Sequence, residues 1–115
     1  VLKMEKPSGA QTWAGATLAL DTKVDFAKGT KIKISVWSPK VGAQILFKME
    51  DKSNSGINFE VPATTTVANA WEVLTFDLTG KYDATKTYNL LALFPDFGVN
   101  GTSATYYFDD IKQSN

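Results

Sequence analysis

The stretch Lys31-Ile32-Lys33-Ile34-Ser35-Val36-Trp37 decides the fold. Successive side chains of a strand point to opposite faces. Ile32, Ile34 and Val36 therefore share one face, and Lys31, Lys33, Ser35 and Trp37 share the other. An apolar phase against a polar one is the signature of a strand with one side on a core. The following Ser38-Pro39-Lys40-Val41-Gly42 is turn chemistry, with Pro39 presetting φ and Gly42 closing the bend. Ile45, Phe47 and Met49 then alternate with Leu46, Lys48 and Glu50, so the two segments read as a hairpin.

The same period extends in both directions. Upstream, Val1–Lys6 sets Leu2 and Met4 against Lys3 and Glu5, and Pro7-Ser8-Gly9 breaks the run. A second strand is expected in 12–20, where Ala16, Leu18 and Leu20 share a face. Asp25–Thr30 reads as a turn. Downstream, Ile57, Phe59 and Val61 alternate up to Pro62, and Leu74, Phe76 and Leu78 are in phase after Trp71. Tyr88–Phe94 is an apolar strand. The last strand carries Thr105-Tyr106-Tyr107-Phe108-Asp109-Asp110-Ile111. About eight short strands, turn signals between them and no helical period predict an all-β, antiparallel two-sheet sandwich of the jelly-roll type. One pattern from end to end predicts a single domain over residues 1–115, and the start at Val1 predicts a piece cut from a longer multidomain protein.

Composition narrows the function. A chain of 115 residues with 12 basic and 12 acidic side chains has no net field to attract nucleic acid or an anionic membrane. No run approaches the ~18 apolar residues of a membrane span. With no His and no Cys, the usual triads and thiol chemistry are unavailable. A carboxylate pair drawn from Glu50, Glu60, Glu72, Asp77 and Asp96 is the one hydrolytic arrangement left, and no spacing marks it. The expectation is a domain that is not an enzyme.

Two features carry chemistry. In the last strand, Tyr107, Asp109 and Ile111 share a face, so an inward Ile111 would bring Asp109 inward with it. A carboxylate at a core margin needs a partner that offsets its desolvation. In a chain without Arg or His that partner is Lys, backbone N–H or a hard cation such as calcium; the alternative is that Asp110 is solvated and Asp109 caps a loop. The second feature is Trp37 in the solvent phase, with Lys48 and Glu50 outward on the partner strand. An aromatic ring beside charged hydrogen-bonding groups suits a sugar, whose C–H face stacks on the ring while polar groups hold its hydroxyls. Phe94, Asp96 and Tyr106 would extend that surface, and Trp13 would sit at its rim. Trp71, Phe47, Phe59, Phe76 and Tyr107 read instead as core or edge plugs, and Lys48 with Glu50 could be only a solvated cross-strand pair.

The segments Trp37-Ser38-Pro39-Lys40, Leu46-Phe47-Lys48-Met49-Glu50-Asp51, Trp71-Glu72, Phe76-Asp77, Phe94-Pro95-Asp96-Phe97-Gly98 and Tyr106-Tyr107-Phe108-Asp109-Asp110-Ile111 together resemble a known group. They look like the β-sandwich carbohydrate-binding modules appended to bacterial glycoside hydrolases and surface glycan-binding proteins, with modules of Bacteroidota nearest and jelly-roll families four, nine and twenty-two more distant. The resemblance implies a secreted, extracellular or cell-surface module with appended domains. It also implies a polysaccharide ligand, with laminarin-type β-1,3-glucan first among β-glucans. A structural calcium held by Asp109 or Asp110, with Glu5 contributing, is implied as well, although the first strand lacks the Gly-Asp-Phe-Glu signature of family four. A structural or adhesive spacer without glycan binding is the competing reading.

Overall fold

The computed structural model describes residues 2–11 and 15–114. Eight strands are present: β1 (Leu2–Lys6), β2 (Ala16–Ala19), β3 (Lys31–Ser38), β4 (Gln44–Asp51), β5 (Asn54–Thr64), β6 (Ala70–Asp77), β7 (Leu90–Phe94) and β8 (Ala104–Ser114). They form two antiparallel sheets, ordered β1-β8-β3-β6 and β2-β7-β4-β5. Except for the β4–β5 hairpin, each connection passes from one sheet to the other. This nested order is that of a jelly roll.

The alternation on β3 holds: Ile32, Ile34 and Val36 are buried. They face Ile45, Phe47 and Met49 of β4, but from the opposite sheet, within one core cluster that also takes Phe59, Val61, Leu74, Phe76, Leu91, Leu93, Tyr106 and Phe108. Phe47 and Phe76 meet at 5.5 Å between centroids, tying the two layers together. Each fully buried side chain of this size contributes about 1.5–3 kcal/mol of burial free energy.

The hairpin expected of β3 and β4 is therefore a crossing between sheets. The turn at 38–42 still uses the residues expected of it, with Gly42 at φ 82° and the Ser38 hydroxyl donating to the Lys40 carbonyl at 2.8 Å. Buried Thr65 anchors it further: its hydroxyl donates to the Lys40 carbonyl at 2.8 Å and accepts from the Ala43 N–H at 3.0 Å. A turn that bends the chain is compatible with either destination, and the partner of β3 is set by long-range packing. Pro62, expected to end its strand, lies inside β5, which runs on to Thr64. β5 is an edge strand, where a missing N–H costs no ladder bond.

The last strand departs from its expected phase. Tyr106 and Phe108 are buried in the core, whereas Tyr107 and Asp109 point outward. Asp109 pairs with Ser35 and Lys112 with Lys33, so Asp110 and Ile111 together oppose the single residue Ile34. That extra residue is a β-bulge, and Asp110 takes φ 49° to form it. Ile111, on which the inward reading of Asp109 rested, is 40% exposed, and the bulge uncouples its phase from that of Asp109.

Candidate functional site

The outer face of the β1-β8-β3-β6 sheet gathers the aromatic residues. In register, Lys3 pairs with Tyr107, Tyr107 with Trp37, and Trp37 with Trp71. One row thus crosses four strands, with three consecutive aromatics on β8, β3 and β6. Neighbouring strands lie about 4.8 Å apart, so the three aromatic positions span roughly 10 Å across the sheet. Trp37 is partly buried and packs edge-to-face against Tyr107, at 5.4 Å and 77°. Trp71, on the edge strand, is 48% exposed, and Val73 beside it on the same face is 60% exposed.

A second row, polar on β8 and β3, runs alongside. Asp109, Ser35 and Val73 follow in register across β8, β3 and β6. Ser35, Trp71, Asp109 and Asp110 line an open hollow of about 220 Å³. The Asp110 N–H donates to Oδ1 of Asp109 at 2.9 Å, which fixes the orientation of that carboxylate. An open apolar ring bordered by a hydroxyl and two carboxylates is suited to a flat ligand with an apolar face and hydroxyl edges.

The other expected site residues are distributed elsewhere. Lys48 and Glu50 lie on β4 in the other sheet, on the far side of the sandwich from Trp37, where they form a partly buried ion pair at 3.7 Å. They cannot join Trp37 in one surface. Phe94 belongs to the same far sheet, pairs with Leu46 and packs edge-on against Phe97 at 5.9 Å. Tyr106, expected on the sugar surface, is wholly buried because the inward phase of β8 is Tyr106 and Phe108. Trp13 lies outside the described residues.

Asp96, expected to hold sugar hydroxyls, is 4% exposed and sits in a structural cluster. Its Oδ2 meets Lys40 Nζ at 2.6 Å, and its backbone carbonyl accepts from Lys6 Nζ at 2.8 Å. Lys6 is itself buried and also donates to the Pro95 carbonyl at 3.2 Å. Burial lowers the Lys6 ammonium pKa, while the charge of Asp96 works in the opposite direction. The Tyr106 hydroxyl is pushed up to about 12, first by burial and then by the nearby Asp96 carboxylate. This cluster pins β1 to the turn after β7.

The calcium ligands expected together do not converge. Glu5 pairs with Thr105, four residues back along β8 from Asp109, which is about 13 Å of strand. Among the described residues no group of three His, Cys, Asp or Glu side chains is placed to hold an ion. Asp109 and Asp110 adjoin the aromatic row instead.

Two members of this face differ from the sequence expectation: Tyr107, expected in the core, and Trp71, expected as a core or edge plug, which lies on edge strand β6 with its indole half exposed. The signal for Trp71 was available: Leu74, Phe76 and Leu78 set the inward phase of β6, and Trp71 is out of step with them. For Tyr107 it lay in the bulge, which nothing in the local sequence marks.

No protein-family model matches this chain, and no curated protein is detectably similar in sequence. Solved structures do match. A family 30 carbohydrate-binding module superposes with a TM-score of 0.65 at 13% identity, over 98% of this chain and 67% of its own. The family 30 carbohydrate-binding module of the cellulosomal cellulase Cel9D-Cel44B of Clostridium thermocellum gives 0.60 at 15% identity, over 98% of this chain and 73% of its own. At such identities the likeness establishes a shared β-sandwich fold.

Proposed function

We propose that this domain is a non-catalytic module that binds a β-linked glucan across the outer face of the β1-β8-β3-β6 sheet. The observation that carries this reading is the row Tyr107–Trp37–Trp71, three aromatics in one register on three adjacent strands. Its span matches a short run of pyranose rings laid across the strands. Two further facts support it. Solved structures with this fold are described as carbohydrate-binding modules, one of them part of a cellulase. The chain also lacks His and Cys, which leaves it poorly supplied for acid–base or nucleophilic catalysis.

Laminarin-type β-1,3-glucan is the first ligand to test, with cello-oligosaccharides beside it. Affinity of one module is modest, because an open face withholds little area from water. Appended domains of a parent protein at the cell surface or outside the cell would add avidity. The test is affinity electrophoresis and calorimetry of the domain with both glucans. Retardation by glucan, abolished in Trp71→Ala, supports the reading. No retardation by any glycan would leave a structural spacer, and new reducing ends on incubation would mean a hydrolase.

A further inference from the structure

Asp110 occupies a backbone conformation that a non-glycine residue adopts at a cost. At φ 49° it lies in the left-handed region, which costs about 1 kcal/mol for a side chain other than Gly and least for Asn and Asp. The cost arises from one inserted residue in β8, opposite Ile34. Bulges of this kind re-aim a side chain, and here the result is specific. Asp110 lines the hollow beside Trp71, together with Ser35 and with Asp109. Asp109 is in the row adjoining Tyr107–Trp37–Trp71, so the hollow opens directly onto the aromatic row.

We infer that Asp110 determines ligand specificity on this face, accepting hydrogen bonds from sugar hydroxyls and discriminating against glycans that carry uronate or sulfate groups. The inference rests on the glucan-binding reading of the aromatic row. Ionised carboxylates only accept hydrogen bonds, so they complement vicinal hydroxyls, which are donors. Hydrogen bonds to a charged group are about twice as strong as neutral ones. An anionic substituent entering the same hollow meets Asp109 and Asp110 at close range, where like charges repel and neither finds a donor on the other. A neutral hexose chain satisfies both carboxylates while its C–H face covers Trp71.

The probes are a cello-oligosaccharide, a laminarin oligosaccharide, and a β-linked glucan of the same linkage oxidised to uronates at its primary hydroxyls. They are titrated against the wild type, Asp110→Asn, Asp110→Gly and Trp71→Ala. Asn and Gly both tolerate the left-handed backbone, and thermal melts confirm that the bulge variants remain folded. The expected result is that the wild type binds neutral glucan and rejects the oxidised one. Asp110→Gly then loses about tenfold in neutral-glucan affinity, the worth of one charge-assisted hydrogen bond, and its preference for neutral over oxidised glucan narrows by a similar factor. Asp110→Asn, neutral but still able to accept, falls between. Loss of binding in Trp71→Ala with no change in either Asp110 variant overturns this inference and leaves the glucan reading standing. Equal wild-type affinity for neutral and oxidised glucan overturns it also. Wild type that binds no glucan removes the reading and the inference together.

Discussion

Replacing Trp71 by Ala separates a surface platform from a core plug. The indole is 48% exposed, so about half of the 150–250 Å² that a tryptophan brings to packing is already in water, leaving roughly 100 Å² buried against the sheet. At about 25 cal/mol per Å², reduced for a compact unfolded chain, that burial is worth about 1.5–2 kcal/mol. For a domain of this size the melting temperature should fall by about 6–8 °C, with the protein still folded at 25 °C. Binding should suffer more. A sugar ring covering about 50 Å² of the exposed indole gains about 1.3 kcal/mol from area and about 0.5–1.5 kcal/mol from the geometry of the ring contact. The sum, about 2 kcal/mol, corresponds to a roughly thirtyfold loss of affinity. Differential scanning calorimetry gives the first quantity and isothermal titration with glucan the second. Unchanged affinity with a melting point lowered by 15 °C or more would show that Trp71 is held by packing and faces no ligand.

Three other perturbations test the arrangement around this face. Lys48→Ala and Glu50→Ala, on the opposite sheet, should leave glucan affinity unchanged and cost at most about 1 kcal/mol each, read by chemical denaturation; lost binding would place the ligand on the far face. Asp96→Asn removes the carboxylate that meets Lys40 Nζ and whose charge favours the buried ammonium of Lys6, and should destabilise by about 3 kcal/mol; an unchanged denaturant midpoint would refute this. The third concerns alkali. Because the folded state holds the Tyr106 proton up to about pH 12, while an unfolded tyrosine releases it near 10, that stability is complete below about pH 10 and is lost as pH rises towards 12, by about 2–3 kcal/mol in all. Lys6 acts in the opposite sense at lower pH, since its lowered pKa makes stability rise as pH climbs to its unfolded value of 10.5. Stability against pH should therefore pass through a maximum and fall steeply beyond it, and Tyr106→Phe should remove the fall; a fall that persists in this variant refutes the assignment.

What the sequence disclosed was local, and what it withheld was not. The phase of Ile32, Ile34 and Val36 could be read residue by residue, and with it the fold class, because alternation depends only on neighbours along the chain. The destination of the chain after Pro39 could not. Hairpin and sheet-crossing turns use the same residues, so sequence pattern alone puts Lys48 and Glu50 on the face of Trp37, whereas they lie on the opposite one. The phase of β8 was hidden by the inserted residue at Asp110, which exchanged the fates of Tyr106 and Tyr107. Trp71 was within reach, given the apolar phase of its own strand, but its place beside Trp37 depended on knowing that β3 and β6 are neighbours. Asp96 looked like a surface acceptor because its partners, Lys6 and Lys40, are far from it in sequence.

The crossing connections have a consequence for how this surface comes into being. Tyr107, Trp37 and Trp71 are contributed by segments that meet only after the chain has passed repeatedly between the two layers. Native partners so distant along the polypeptide are reached late and slowly in folding. No hairpin or half-domain carries the platform, so on the proposed reading glucan affinity should emerge only with the last cooperative step. Retention on a polysaccharide column would then serve as an all-or-none gauge of native chain, and bound glucan would guard both layers against proteolysis at once.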